Sequence, residues 1–388
     1  MSDQQFRPAH SAFDESPEVK EAAALSLAGK RLDRAAVEAL YYGASLHTLA
    51  RLAHAMRLRL HPEPIVTYVG DRNINYSNVC VCACRFCAFF RAPESGEGYV
   101  ITREEMARKI DETLRLGGTQ ILLQGGHHPD LPLEWYEDLL RWMRATWPGL
   151  HIHAFSPPEI FFWSQKFGLS VDEVISRLRA AGLDSIPGGG AEILQNEVRA
   201  RVSPNKCSAD QWLYVMERAH KQGMRTTATM MFGHEEEPRH RLDHLFAVRE
   251  VQDRTHGFTA FIPWTFQPAH TRINVTASLP APAYLRLLAV SRPVPMVVGG
   301  YQLSHADFRA ALQGKSSWVT MGPEVAQLAL FYGANDFGSL MIEENVVAAA
   351  GVSYHLTRHE IHKIIRAAGF TPVQRTMNYT PVDPQPED

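Results

Sequence analysis

"IVTYVGDRNINYSNVCVCACRFCAFFR", residues 65–91, decides how this chain is read. Ile65 to Tyr76 form a β-rich run, and the run ends in a loop that holds Cys80, Cys82, Cys84 and Cys87, four of the chain's 5 cysteines. A doubly wound nucleotide-binding sheet would place G-x-G-x-x-G after its first strand. Here that strand ends in cysteines, and the glycine-rich "PGGG" comes only at 187–190.

Outward from this stretch the pattern alternates. Upstream lie a polar tail and two helical stretches, roughly 17–28 and 33–58. Downstream, "TQILLQGG", "HIHAFSPPEI", "LDSIPGGGAEI", "MRTTATMMFG", "GFTAFIPWTF", "SSWVTM" and "GSLMIEENV" read as strands separated by amphipathic helices. With the first run this makes eight strand-like units. Strict β/α alternation calls for a parallel sheet, and eight units call for closure, so the expected fold class is α/β, a (βα)8 TIM-type barrel with an N-terminal helical extension. The expected boundaries are 1–60 for the tail and helices packing on the barrel, 61–375 for the barrel and 376–388 for a C-terminal tail.

Composition narrows the function classes. Thirty-nine Lys and Arg against 42 Asp and Glu leave a net charge of -3, so no global field favours nucleic acid or an anionic membrane, and a small molecule is the expected partner. No apolar run approaches the roughly 20 residues of a membrane span, and the first twenty residues lack the features of a secretory signal. An odd cysteine count, with four crowded into one loop, does not make a disulfide framework; a reducing, cytoplasmic setting and metal or cofactor ligation are expected.

The loop admits three readings. Cys80-x3-Cys84-x2-Cys87 supplies three thiolates, which hold a 4Fe-4S cluster and leave one iron open. A set that included Cys82 would make a closed electron carrier without an open iron. A structural zinc site draws paired ligands from two segments, and only Cys207 lies outside the loop. A barrel places this loop at its C-terminal mouth, where barrel enzymes keep their chemistry.

"CACRFCAF", preceded by "RNINYSNV", resembles the cysteine loop of the radical S-adenosylmethionine (SAM) superfamily. That resemblance implies Cys80, Cys84 and Cys87 as metal ligands, with a 4Fe-4S cluster and SAM as cofactors. Further stretches, "GGTQILLQGGHHPDLPLEWYEDLLR", "FSPPEI", "GLDSIPGGGAEIL", "FIPWTFQP" and "SWVTMG" among them, resemble the cyclic dehypoxanthine futalosine synthase family of menaquinone biosynthesis over roughly residues 40–375. The implied chemistry is cyclisation of dehypoxanthine futalosine: a 5'-deoxyadenosyl radical takes hydrogen from ribose C4', the carbon radical adds to the benzoate ring, and loss of an electron and a proton restores aromaticity. The resemblance also implies an electron donor such as flavodoxin or ferredoxin. Aminofutalosine synthase and the deazaflavin (F0) synthase components share these features and are the alternative; an iron-sulfur electron-transfer protein without SAM chemistry is the reading from a different class.

Candidate residues follow. The resemblance implies that Phe86 lies against the adenine of SAM, and that Gln124, Gly125 and Gly126 form a turn receiving its amino group, where the absence of a Cβ permits close approach. In "PGGGAE", Gly189 offers close approach and Glu192 a carboxylate for ribose hydroxyls; an ordinary turn needs fewer glycines. Glu159 and Glu343 near strand ends and His153 in the third strand are the catalytic candidates. Each carboxylate alone reads better as a supporting or rim group, and His153 equally as a hydrogen-bonded interior histidine. His127 stands where the family pattern carries leucine, and Cys207 reads as an unligated thiol. Residues 293–315 are longer than the family's connection and carry prolines that break the expected helix, which reads as an insertion. "FSPP", "MMFG" and "FIPWTF" are expected to supply apolar walls around the radical.

Overall fold

The computed structural model describes residues 15–292, 313–352 and 354–382. Strands β1 (Ile65–Val69) and β2 (Asp71–Asn75) are two halves of one extended run parted at Gly70. From β2 a seven-stranded parallel sheet continues in chain order through β3 (Gln120–Gln124), β4 (His151–Ala154), β5 (Ser185–Ile186), β6 (Arg225–Phe232), β7 (Phe258–Thr265) and β8 (Gln313–Gly314). Next to β8 stands β9 (Asp336–Ser339), joined to it by the parallel bridge of Lys315 with Asp336.

The sheet curls until its ends meet. β9 pairs with β1, and beyond it Leu340 N donates to Val69 O (2.8 Å), Ile342 N to Asp71 O (3.1 Å) and Asn73 N to Glu343 O (3.2 Å). Counting β1 with β2 as one staggered strand, eight parallel positions surround the axis, as the alternation of the sequence predicts. A tenth strand, Thr371–Gln374, adds to β1 outside the ring.

Side-chain alternation divides the inside of the ring from the outside. In β2, Asp71 and Asn73 face the interior cavity, while Arg72 reaches outward to Glu112 (2.8 Å) on α4 (Arg103–Arg115). The N-terminal helices α1 (Pro17–Leu27) and α3 (Leu46–Leu60) share one hydrophobic cluster with the barrel, and α3 packs on α11 (Ala281–Ser291). Among the described residues no helix is long and apolar enough to cross a membrane.

Four local readings are corrected. The helix expected over 33–58 is broken: α2 (Arg34–Glu38) runs into a π-helical turn at Ala39–Gly43, and Ser45 caps a new helix by accepting from Thr48 N (3.1 Å). "SPPEI" is helical, since β4 ends at Ala154 and Pro157 and Pro158 open α6 (Pro157–Phe167), where prolines leave no donor unsatisfied. "SSWVTM" contains a short helix, Trp318–Met321, and the seventh strand lies just before it at β8. "MIEEN" follows the eighth strand as a loop, because Met341 adopts a positive φ of 46° and ends the alternation. Of the expected insertion at 293–315, residues 293–312 lie outside the described residues, and 313–315 carry β8 and its bridge.

Candidate active site

The cysteine loop leaves β2 at the C-terminal mouth and is clamped by backbone hydrogen bonds from three directions. Cys80 N donates to Arg91 O (3.0 Å), Val81 N to His127 O (3.1 Å), Arg85 N to Val202 O (2.9 Å), and Arg272 N to Arg85 O (2.7 Å). The turn after β3 presses on it: a Cβ on Gly126 would stand 2.3 Å from Val79 O and 2.6 Å from Cys80 Cβ, so only glycine lets this turn meet the loop. From the same turn His127 N donates to Cys80 Sγ (3.3 Å).

Within the loop the four thiols differ. The neighbouring Cys82 thiol holds Cys80 down at about 6 and lowers Cys84, and the same two neighbours, with burial, drive Cys82 far up. Cys82 Sγ also lies 2.9 Å from His127 Nδ1 and 3.4 Å from Asn205 O, so its surroundings are protein. Burial raises Cys87, which borders a small cavity with Phe86, Met231, Trp264 and Phe266. Two thiols poised as thiolates and a third at a cavity wall suit a metal-sulfur cluster, which binds thiolate. Lys206, a residue the sequence reading passed over, reinforces the site: Nζ lies 5.0 Å from the Phe86 ring centre and donates to Glu192 Oε1 (3.0 Å).

The glycines do more than turn the chain. A Cβ on Gly125 would collide with the Tyr76 ring (2.3 Å), one on Gly188 with the β6 backbone at Thr227 O (2.6 Å), and one on Gly189 with Gln124 Nε2 (2.4 Å). The space that Gly125 leaves is therefore filled by protein on its Cβ side. Glu159 lies behind the same turn: its Oε1 accepts from the Tyr76 hydroxyl (2.7 Å) and Gly125 N (3.3 Å), and its Oε2 from the Ser156 hydroxyl (2.5 Å). Burial raises the Glu159 carboxyl to about 7. It supports the turn and does not border the cavity.

Inside the ring lies a cavity of about 270 Å³. Its polar side is built from Asp71, Asn73, Gln124, His153, Lys315 and Glu344, and its apolar side from Ile262, Trp264, Trp318 and Phe337 among others. Gln124, Gly189 and His153 of the expected residues line it; Phe86 lies on the smaller cavity, which shares Trp264, Val346 and Val347 with the larger. Of the expected apolar segments, Trp264 and Met231 contribute walls, whereas Phe155 is buried in an aromatic cluster with Tyr76, Tyr136 and Trp163.

Glu343 faces away, paired to Lys109 Nζ (2.5 Å) on α4 and to Asn345 Nδ2 (2.8 Å). Its neighbour Glu344 is the inward carboxylate: it accepts from Asn73 Nδ2 (2.7 Å), Val346 N (2.8 Å) and Val347 N (3.0 Å), and burial raises its carboxyl. Asp71 accepts from Gln120 Nε2 (2.7 Å) and from the Ser339 hydroxyl, and burial raises it too. Lys315 lines the cavity, with burial lowering its ammonium to about 8. Cys207 is buried, accepting weakly from Arg199 Nη2 (3.8 Å), away from the loop cysteines' cavity.

Comparison with known proteins bears on this arrangement. The sequence model of the radical SAM superfamily matches residues 74–248, and that of the CofH/MqnC C-terminal region matches residues 255–387. The chain is 46% identical over 351 residues to cyclic dehypoxanthine futalosine synthase of Halalkalibacterium halodurans, covering 90% of this chain and 91% of that protein. It is 39% identical over 370 residues to 5-amino-6-(D-ribitylamino)uracil–L-tyrosine 4-hydroxyphenyl transferase of Methanopyrus kandleri, covering 94% and 97%. In fold it is similar to the crystal structure of methylornithine synthase, with a TM-score of 0.64 and 18% identity over 90% of this chain and 97% of that one.

Proposed function

The chain belongs to the radical SAM superfamily, whose members are enzymes using a 4Fe-4S cluster and SAM, and from that membership we propose that it cyclises dehypoxanthine futalosine. The observation that carries this reading is the greater identity to the cyclic dehypoxanthine futalosine synthase (46%, over 90% of this chain) than to the hydroxyphenyl transferase (39%, over 94%). When bound, the cluster and SAM together supply a 5'-deoxyadenosyl radical. Cys80, Cys84 and Cys87 would hold the cluster, with Cys82 left as a thiol that donates to Asn205 O.

The remaining residues bind, orient and exclude water. Phe86, with Lys206 over its ring, and the Gly125–Gly126 turn, backed by Tyr76 and Glu159, form the cofactor side. Gln124, next to that turn in the chain, and Gly189 line the interior cavity. The cavity receives the nucleoside: Asn73, Glu344 and Asp71 offer polar contacts to ribose hydroxyls, and Trp264, Trp318 and Ile262 pack against the aromatic ring and keep the radical from water. A one-electron donor such as flavodoxin or ferredoxin completes the system.

Reconstituted enzyme given dehypoxanthine futalosine in one reaction, and 5-amino-6-(D-ribitylamino)uracil with tyrosine in another, tests the reading. A product two hydrogens lighter than the first substrate is expected; turnover of the second pair alone would overturn the reading in favour of the transferase.

A further inference from the structure

Strand alternation puts His151 and His153 of β4 on one face. Ser185 on β5 is the register partner of His153, and its hydroxyl lies 2.6 Å from His153 Nδ1 and 2.7 Å from His151 Nε2. The three side chains thus form an unbroken hydrogen-bonded row along the inside of the barrel wall. One end of the row is the cavity, which His153 lines while only 5% exposed. The other end is half-buried His151, at the N-terminal end of β4, beside the partly exposed ion pair of Arg144 with Asp184 (2.5 Å).

A serine hydroxyl has one proton to give and room to accept, so between two imidazole nitrogens it can receive a proton from one side and pass its own to the other. We propose that His153, Ser185 and His151 form a proton wire from the cavity to the far end of the barrel, with His153 accepting the proton that the substrate's aromatic ring must lose. This rests on the cyclisation reading above. Addition of the ribose C4' radical to the benzoate ring forms a C–C bond and leaves a cyclohexadienyl radical. Aromaticity returns when the ring C–H bond breaks, the electron passing to a one-electron acceptor of the iron-sulfur class and the proton to His153 Nε2. His153 Nδ1–H then gives its proton to Ser185 Oγ, the serine proton moves to His151 Nε2, and His151 Nδ1–H releases one to water.

For that direction of flow both imidazoles start neutral and protonated at Nδ1. The surroundings favour neutrality. Burial, then the neighbouring His151, Lys315 and Arg375, lowers His153 well below the usual imidazole range; burial and Arg144 lower His151, opposed by Asp184. An imidazolium is not held at either position, which suits conduction and not storage. Of the other ionisable groups on the cavity wall, Glu344 accepts three hydrogen bonds and Asp71 accepts from Gln120 and Ser339, while burial lowers the Lys315 ammonium to about 8.

Two measurements test the wire. In the cofactor-free protein with ¹⁵N-labelled histidine, resonances assigned through His151→Gln and His153→Gln should report neutral Nδ1–H tautomers at both positions at neutral pH; an Nε2–H tautomer or an imidazolium at either overturns the proposal. In reconstituted enzyme, Ser185→Ala should lower the ratio of cyclised product to 5'-deoxyadenosine by about a hundredfold or more, the range of general-base catalysis. Ser185→Thr should restore it, and His151→Ala should be rescued by added imidazole. An unchanged ratio in both alanine variants, with thermal melts confirming folded protein, overturns the wire. The NMR arm needs no substrate, so failure of the cyclisation reading and failure of the wire are told apart.

Discussion

Cys82 illustrates how much one side chain's direction decides. Its sulfur lies against His127 Nδ1 and donates to Asn205 O, contacts within the protein, so removal of Cys82 leaves the Cys80, Cys84 and Cys87 side chains in place to take a cluster. We expect Cys82→Ala to keep iron content near the parent's and to cost about 1–2 kcal/mol of stability, as buried substitutions commonly do. Cys80→Ala, Cys84→Ala and Cys87→Ala should each lose the cluster, read by iron analysis and the visible spectrum after anaerobic reconstitution; loss of iron in Cys82→Ala would reassign the ligands. The cysteines were legible because they lie in one short segment whose spacing survives any fold. The carboxylates were not. Glu343 and Glu344 point to opposite sides, and which one faces the cavity depends on the positive φ at Met341, which no strand alternation discloses.

At the scale of elements, the turn after β3 and the cysteine loop act as one unit. Gly126 touches Val79 and Cys80 where a Cβ would stand, and the next residue donates to Cys80 Sγ. Gly126→Ala should therefore displace the loop and reduce cluster occupancy, measured as iron per chain. Full occupancy with intact SAM binding would show that the loop relaxes freely. Gly125→Val should disrupt packing on Tyr76 before it affects any ligand, since the Tyr76 ring fills the Cβ direction. The β/α alternation was readable from apolar period, but short elements were not. Trp318–Met321 is apolar and β-branched enough to pass for a strand and is helical, and it brings Trp318 to the cavity wall. In "FSPPEI" the serine and two prolines are helix-start signals that the apolar run conceals.

The whole molecule depends on closing the ring. β9 carries Asp336, which is fully buried and accepts from Arg375 Nη2 (2.9 Å) and Nε (2.5 Å) and from the Thr67 hydroxyl (2.6 Å). Burial alone would raise this carboxyl; Arg375 and Lys315 outweigh it and hold it below 3.8. Its stabilisation is therefore present above that pH and is lost as pH falls through the depressed value. Asp336→Ala should strand Arg375 and cost roughly 3–5 kcal/mol, seen as a lower denaturation midpoint; a loss under about 1 kcal/mol would mean that the seam closes without the pair. That eight units close was legible from their number. That closure runs through an irregular β9–β1 pairing and a buried ion pair was not, since Asp336 and Arg375 stand 39 residues apart with no shared motif.

Whether the barrel delivers a 5'-deoxyadenosyl radical to the ribose, as proposed, is read from dehypoxanthine futalosine carrying deuterium at C4'. Mass spectrometry of the 5'-deoxyadenosine formed should show one deuterium per molecule, in step with cyclised product. Unlabelled 5'-deoxyadenosine alongside product, or adenosyl carbon found within the product, would rule out hydrogen abstraction at C4'.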